Sequence, residues 1–191
     1  MYKEKYDIVV VGGGHAGVEA ALISSFLDVS VAIITMDKNA IARMSCNPAI
    51  GGLAKGQIVR EMDVLGGVMA ETADVSGLQF KILNKSKGRA VWSPRAQIDK
   101  RVYERNVLKK IENSAVSIIQ SEAISVDIRN YKVKSVLLRS GEKIKCSCLI
   151  ITAGTFLSGL IHIGERKILA GRMGEERSKG ITESLKSFGF I

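Results

Sequence analysis

The first forty residues alternate between apolar runs and small-residue punctuation. Tyr6 to Val11 is a continuous apolar, β-branched run, and Gly12, Gly13, Gly14 and Gly17 follow it. Ala16 to Leu27 then reads as a helix, and Val29 to Ile34 as a second apolar run. Runs without polar alternation are what a parallel strand covered on both faces requires. A second parallel strand needs the crossover that the intervening helix supplies. Further along, Leu53 to Leu65 reads as a helix with Ile58, Met62 and Leu65 on one face, stopped by Gly66-Gly67. Ser93-Pro94 opens a helix running to about Glu112, with Tyr103, Val107 and Ile111 as its core stripe. Val116 to Ile119 reads as a strand returning to the sheet. Ser121 to Ile128, Lys132 to Arg139 and Lys143 to Leu149 read as strands in series, with a turn at Ser140-Gly141. Strands without helices between them predict a small antiparallel excursion, about residues 121–146. Leu149 to Thr155 is a buried strand ending in a small-residue turn that includes Gly154, and Glu176 to Lys186 is a last helix stopped by Gly189.

The predicted fold class is therefore α/β, a Rossmann-like dinucleotide-binding domain over residues 1–191. Its parallel sheet is joined by the antiparallel excursion. The glycines fit Gly12-x-Gly14-x-x-Gly17 between a strand and a helix. In a dinucleotide-binding unit the first glycine permits the tight turn and the second lets backbone approach a pyrophosphate. The third lets helix and strand pack closely. The helix N-terminus offers free N–H groups and positive dipole to the phosphates. An acidic residue for a ribose hydroxyl belongs roughly 20 residues beyond the glycines. Asp37 is the acid nearest that place, and a solvated loop aspartate is the competing reading.

The chain carries 28 Lys and Arg against 19 Asp and Glu, a formal charge of +9, which favours a polyanionic or phosphorylated partner. A basic block runs from Lys81 to Lys110, with Arg101, Arg105 and Lys109 at helical spacing, a stripe that can meet phosphates or simply face solvent. The uncharged stretch from Cys146 to Gly164 holds Gly154 and Gly159 in its interior, hydroxyl residues and His162, so it reads as strand plus loop and not as a membrane span. Three cysteines without a secretory signal suggest a reducing compartment. Cys146 and Cys148 share one face of a strand as structural thiols. Cys46 precedes Asn47-Pro48 in a small-residue loop, where it is either an activated nucleophile or a packed loop residue. Phe190-Ile191 reads as the start of another strand, so the chain is expected to be the N-terminal part of a longer protein.

These residues resemble a known family. The segment Gly12-Gly13-Gly14-His15-Ala16-Gly17-x-Glu19-Ala20-Ala21, followed by Ser45-Cys46-Asn47-Pro48-Ala49-Ile50-Gly51-Gly52, resembles the MnmG (GidA) tRNA uridine-modification flavoenzymes. Ile82-Leu83-Asn84-x-Ser86-Lys87-Gly88, Arg95-Ala96-Gln97-x-Asp99, the Thr155 to Gly164 segment and Gly171-Arg172 continue the match. Arg89 departs from it, standing where the family often has proline. The resemblance implies FAD bound at Gly12, Gly13, Gly14, His15, Ala16 and Gly17, with further contacts at Ile124 and Ser178, while the small-residue turn at Gly154 is expected beside the dinucleotide from the strand pattern itself. It implies Cys46 as a catalytic thiol toward uridine C6. It also implies methylene-tetrahydrofolate as one-carbon donor, NADH as reductant, tRNA as substrate, the GTPase MnmE as partner, a homodimer, and a cytoplasmic setting. The product is an aminomethyl-type group at C5 of the wobble uridine. Three other readings stay open: a folate- and FAD-dependent tRNA uridine C5-methyltransferase, a generic FAD oxidoreductase, and a non-catalytic binding module. The first of these lacks the Ser-Cys-Asn-Pro segment.

Overall fold

The computed structural model describes residues 3–45 and 47–190. In chain order the elements are β1 (Lys5–Val11), α1 (His15–Ser25), β2 (Val31–Thr35), β3 (Ala49–Gly51), α2 (Lys55–Val64), α3 (Met69–Ser76), β4 (Gly77–Leu83), β5 (Ser93–Ile98), α4 (Lys100–Glu112), β6 (Val116–Gln120), β7 (Ala123–Arg129), β8 (Lys132–Leu138), β9 (Lys143–Ile151), β10 (Ile161–Ile163), β11 (Arg166–Ile168) and α5 (Ile181–Ser187). They divide into two compact units, one of residues 1–39 with 115–191 and one of residues 40–114. None of the helices described is long and apolar enough to cross a membrane.

The first unit is built on a six-stranded sheet in the order β6-β2-β1-β9-β8-β7. β6, β2, β1 and β9 are mutually parallel, with Val11 beside both Ile34 and Ile151. β9, β8 and β7 pair antiparallel, so the predicted excursion extends the same sheet. The β-branched runs of β1 and β2 end up as expected: Val9, Val10, Ala32, Ile33 and Ile34 are essentially inaccessible. α1 lays Gly17, Val18, Ala21 and Leu22 inward. It ends at Ser25, short of the expected Leu27, because Phe26 and Leu27 donate three residues back to Ile23 and Ser24 and Asp28 turns left-handed at φ 55°. Asp7 ties β1 to the start of β2, its carboxylate accepting from the Ser30 hydroxyl (2.6 Å) and N–H (2.8 Å). α5 packs on β7, where the Ser184 hydroxyl accepts the Val126 N–H at 3.0 Å and Ile181 is buried.

The second unit enters the chain between β2 and β6. It holds a three-stranded antiparallel sheet, β3-β5-β4, with α2, α3 and α4. Several expectations fail here. Ser93-Pro94 starts strand β5, and α4 begins only at Lys100, after Asp99 has capped it. Its core stripe of Tyr103, Val107 and Ile111 is buried as predicted. In α2 the buried residues are Gly56 and Val59, while Ile58 and Leu65 are exposed. Gly56 lies so close to β5 that an added Cβ would meet the Ser93 hydroxyl at 3.1 Å, so a glycine sets the contact line. β3 and α3 were not anticipated. In the first unit the final helix starts at Ile181 instead of Glu176, because Ser178 is bonded through its backbone to Phe156 and Ser158. Leu149 to Ile151 are half-buried instead of fully buried.

Candidate functional site

β1 ends at Val11, and the turn that follows is fixed from both sides. The Gly12 N–H donates to the Ile34 carbonyl at 2.9 Å, and the Thr152 N–H donates to Val11 at 2.8 Å. The Thr152 hydroxyl reaches the carbonyls of Val11 (3.1 Å) and Gly12 (3.2 Å). Gly12 has φ 113°, and a Cβ there would meet the Thr152 carbonyl at 2.6 Å. A Cβ on Gly17 would strike the Gly12 carbonyl and stand 2.7 Å from the Thr152 hydroxyl. Both glycines are therefore required by the protein's own packing.

Gly14 is different. It is the N-cap of α1, in ordinary extended backbone (φ −71°, ψ −179°), with no side-chain cap. An added Cβ there meets nothing within 4 Å, and the residue is exposed. Among the described residues no contact would obstruct a side chain at this position. The N–H groups of His15, Ala16 and Gly17 start an eleven-residue helix whose first turn holds no acidic residue. Such a terminus presents donors and partial positive charge outward. Gly13 is buried beneath, His15 is half-buried and Ala16 is exposed.

The other expected cofactor residues gather around the start of β7 and the end of β9. Gly154 begins a short 3-10 turn after β9, exposed and at φ 57°, two residues past Thr152. Ser178 pairs through its backbone with Phe156 (2.9 Å) and Ser158 (3.0 Å), and it is buried. Gly180, at φ 99°, sits directly against the Ile124 carbonyl. The Lys179 N–H donates to Glu122 at 3.0 Å. Ile124, Gly154 and Ser178, 54 residues apart in sequence at the extremes, are thus linked in one region by the Leu157–Ser178 bridge and the Gly180 contact. Asp37 stands two residues beyond β2, at the carboxyl end of the parallel strands. Its carboxylate accepts the Asn39 N–H at 2.8 Å.

Cys46 lies outside the described residues. Its neighbours are anchored in the second unit, where the Met44 N–H donates to Glu104 at 2.9 Å and Ala49 N–H to Asn47 at 2.7 Å. In that unit burial, with help from the nearby Arg95 charge, lowers the pKa of Lys55, whose ammonium donates to the Ala49 carbonyl at 3.1 Å. Cys146 is buried in the first unit, and burial together with Cys148 pushes its thiol up to about 11. It is protonated at neutral pH and unsuited to nucleophilic work. Sequence reasoning missed the roles of Thr152 and Gly180. The Thr-Ala-Gly ending of an apolar strand was the available signal for the first, and nothing in the local pattern marks the second.

A parallel sheet with a glycine turn at the carboxyl end of its central strand, opening onto a helix N-terminus, defines a Rossmann-like dinucleotide-binding fold. The probable FAD-dependent monooxygenase pqsL of Pseudomonas aeruginosa shares this fold, with a TM-score of 0.56 at 16% identity over 76% of this chain and 41% of that one. The family model described as Glucose inhibited division protein A matches residues 7–191, and the chain belongs to this GidA family. The MnmG tRNA uridine 5-carboxymethylaminomethyl modification enzyme of Sulfurihydrogenibium sp. (strain YO3AOP1) is 49% identical over 193 residues, covering all of this chain. The solved structure of Aquifex aeolicus GidA (form II crystal) aligns with a TM-score of 0.94 at 44% identity, over 98% of this chain. In both comparisons the chain spans only 31% of the relative's length.

Proposed function

We propose that this chain is the cofactor-holding part of an MnmG-type enzyme that modifies the wobble uridine of tRNA, and that its cofactor is FAD. The observation that carries the reading is Gly14: a glycine the fold does not need, at an uncapped helix N-terminus, with open space where its side chain would stand. A pyrophosphate is the ligand for which a bare backbone and outward N–H groups are suited. Gly12, Gly13 and Gly17 shape the turn, while Gly14, His15 and Ala16 face the phosphates. Gly154 flanks them, and the Ile124–Ser178 region takes the nucleoside end. Asp37 is the candidate ribose partner. FAD, when bound, supplies two-electron redox chemistry at its flavin ring.

The family resemblance supplies the rest of the proposal. A Cys46 thiolate that adds reversibly to uridine C6 makes C5 nucleophilic, which is the chemical reason for a thiol there. Methylene-tetrahydrofolate is the proposed donor and NADH the proposed reductant. MnmE, a second copy of the full-length protein and a cytoplasmic tRNA pool complete the setting. The direct test is the visible spectrum of the purified chain with added FAD, read after gel filtration. A flavin band that travels with the wild-type chain and is lost in Gly14→Ala is the expected result. A colourless wild-type chain would overturn the claim that these residues suffice to hold the cofactor.

A further inference from the structure

The outer face of the antiparallel strands carries a feature that cofactor binding leaves unused. A groove of about 900 Å³ crosses β7, β8, β9 and the start of β1. Six cations line it: Lys5, Arg129, Lys132, Lys134, Lys143 and Lys145. The one acid among the described lining residues is Asp127, and Arg129 already holds it in a two-pronged ion pair at 2.9 and 3.2 Å. The positive groups come from four strands in sequence-distant segments. The pairings Lys5–Lys145 and Lys145–Ser135 bring three of those strands side by side. Adjacent strands stand about 4.8 Å apart and alternate residues along one strand about 7 Å apart, so the cations form a two-dimensional array. Like charges at this spacing repel one another, and a polyanion relieves that repulsion.

The hairpin between β7 and β8 adds an aromatic group. Asn130 and Tyr131 both adopt left-handed backbone, at φ 51° and 59°, which is the signature of a tight two-residue turn. Tyrosine is a poor choice for that conformation, where glycine is favoured. Its side chain is fully exposed at the groove's end, at 104% of the reference accessibility. A ring held out beside a field of lysines is the combination that binds nucleic acid, with charge on the phosphates and the ring free to stack on an unpaired base.

We infer that this groove is a docking surface for the sugar-phosphate backbone of structured RNA, with Tyr131 meeting an unpaired base. The inference rests on the tRNA-acting reading above and goes beyond it in naming a surface away from the glycine turn. The exposed Arg101, Arg105 and Lys109, four residues apart along α4, are the alternative surface.

The test is fluorescence anisotropy with labelled bulk tRNA over a range of salt concentrations. It compares the wild-type chain, a Lys132→Gln/Lys134→Gln/Lys143→Gln variant, the same three positions as arginine, Tyr131→Ala, and an Arg101→Gln/Arg105→Gln/Lys109→Gln variant. These groove lysines are exposed, so neutralising them leaves the core intact. The expected result is salt-dependent binding by wild type, with a loss of about tenfold or more in the glutamine variant. The slope of log affinity against log salt should fall by about 2 to 3. Affinity should be kept in the arginine variant, weakened in Tyr131→Ala and unchanged in the α4 variant. Wild-type affinity in the groove glutamine variant, or no tRNA binding by wild type, would overturn the inference. FAD retention measured in parallel keeps the two readings apart. A chain that binds tRNA through the groove but holds no flavin sinks the cofactor proposal alone. One that holds flavin and ignores tRNA sinks the groove alone.

Discussion

Gly14 and Gly17 stand three residues apart in one turn, yet a methyl group has opposite consequences at the two. At Gly17 it would press on the Gly12 carbonyl and the Thr152 hydroxyl, both of them held by hydrogen bonds. Gly17→Ala is expected to cost about 3 kcal/mol of stability in urea unfolding, the upper end of the usual overpacking cost of about 1–3 kcal/mol, because the nearest neighbour is backbone held by a hydrogen bond. At Gly14 the same methyl enters open space from an ordinary backbone conformation, and the change should stay within about 0.5 kcal/mol. A second residue-scale expectation concerns acid. The hydrogen bonds from Ser30 hold the Asp7 carboxyl below its ordinary value of 3.8. A depressed carboxylate contributes stability that is present above its unfolded pKa and is lost as pH falls through the folded one. The melting temperature of wild type should therefore fall more steeply than that of Asp7→Asn as pH drops from about 5 to about 3. Parallel curves for the two proteins would show that the Asp7–Ser30 clamp adds nothing.

At the scale of elements, the clearest lesson is where α4 begins. Ser93-Pro94 is a sound helix opener on chemical grounds, but Pro94 serves near the start of a strand, with its carbonyl accepting the Gly52 N–H at 2.8 Å. The actual cap is Asp99, whose carboxylate accepts the N–H groups of Arg101 and Val102, both at 3.0 Å. Asp99→Ala should cost about 1 kcal/mol, read as a shift in the urea midpoint, with Asp99→Asn recovering most of it. The stripe Tyr103, Val107 and Ile111 was legible because three apolar residues four apart can only share one face. The start was not, because strand pairing with β4 and β3 overrides a local signal. The same contrast holds elsewhere. β1, α1 and β2 were readable from apolar runs and glycines alone. The face of α2 was misread because its buried side includes Gly56, which has no side chain to mark it. The start of α5 is displaced because Ser178 gives its backbone groups to Phe156 and Ser158, a pairing twenty residues distant that no window of sequence displays. Of the candidate site, the glycine turn was legible, and the meeting of Gly180 with Ile124 was not.

For the molecule as a whole, the sheet order joins these scales. β1 lies between β2 and β9, so the turn after it is braced by Ile34 on one side and by Thr152 on the other. The turn and its two braces all lie in residues 1–39 and 115–191, and on the proposed reading the turn should recognise a ligand by its pyrophosphate before any other group. A ligand that binds only the folded state stabilises it by about 2.7 kcal/mol at a hundredfold excess over Kd. For a chain of this size that corresponds to a rise in melting temperature of about 5–10 °C. FAD should produce such a shift in wild type and none in Gly14→Ala, although without ligand the two proteins should melt within about 2 °C of each other. ADP, which keeps the pyrophosphate and the adenosine, should produce a smaller shift and compete with FAD. FMN, which has the flavin and one phosphate, should leave the melting temperature where it was. The reverse order, with FMN effective and ADP inert, would mean that the flavin ring is held by other residues and that the open space over Gly14 has no part in binding.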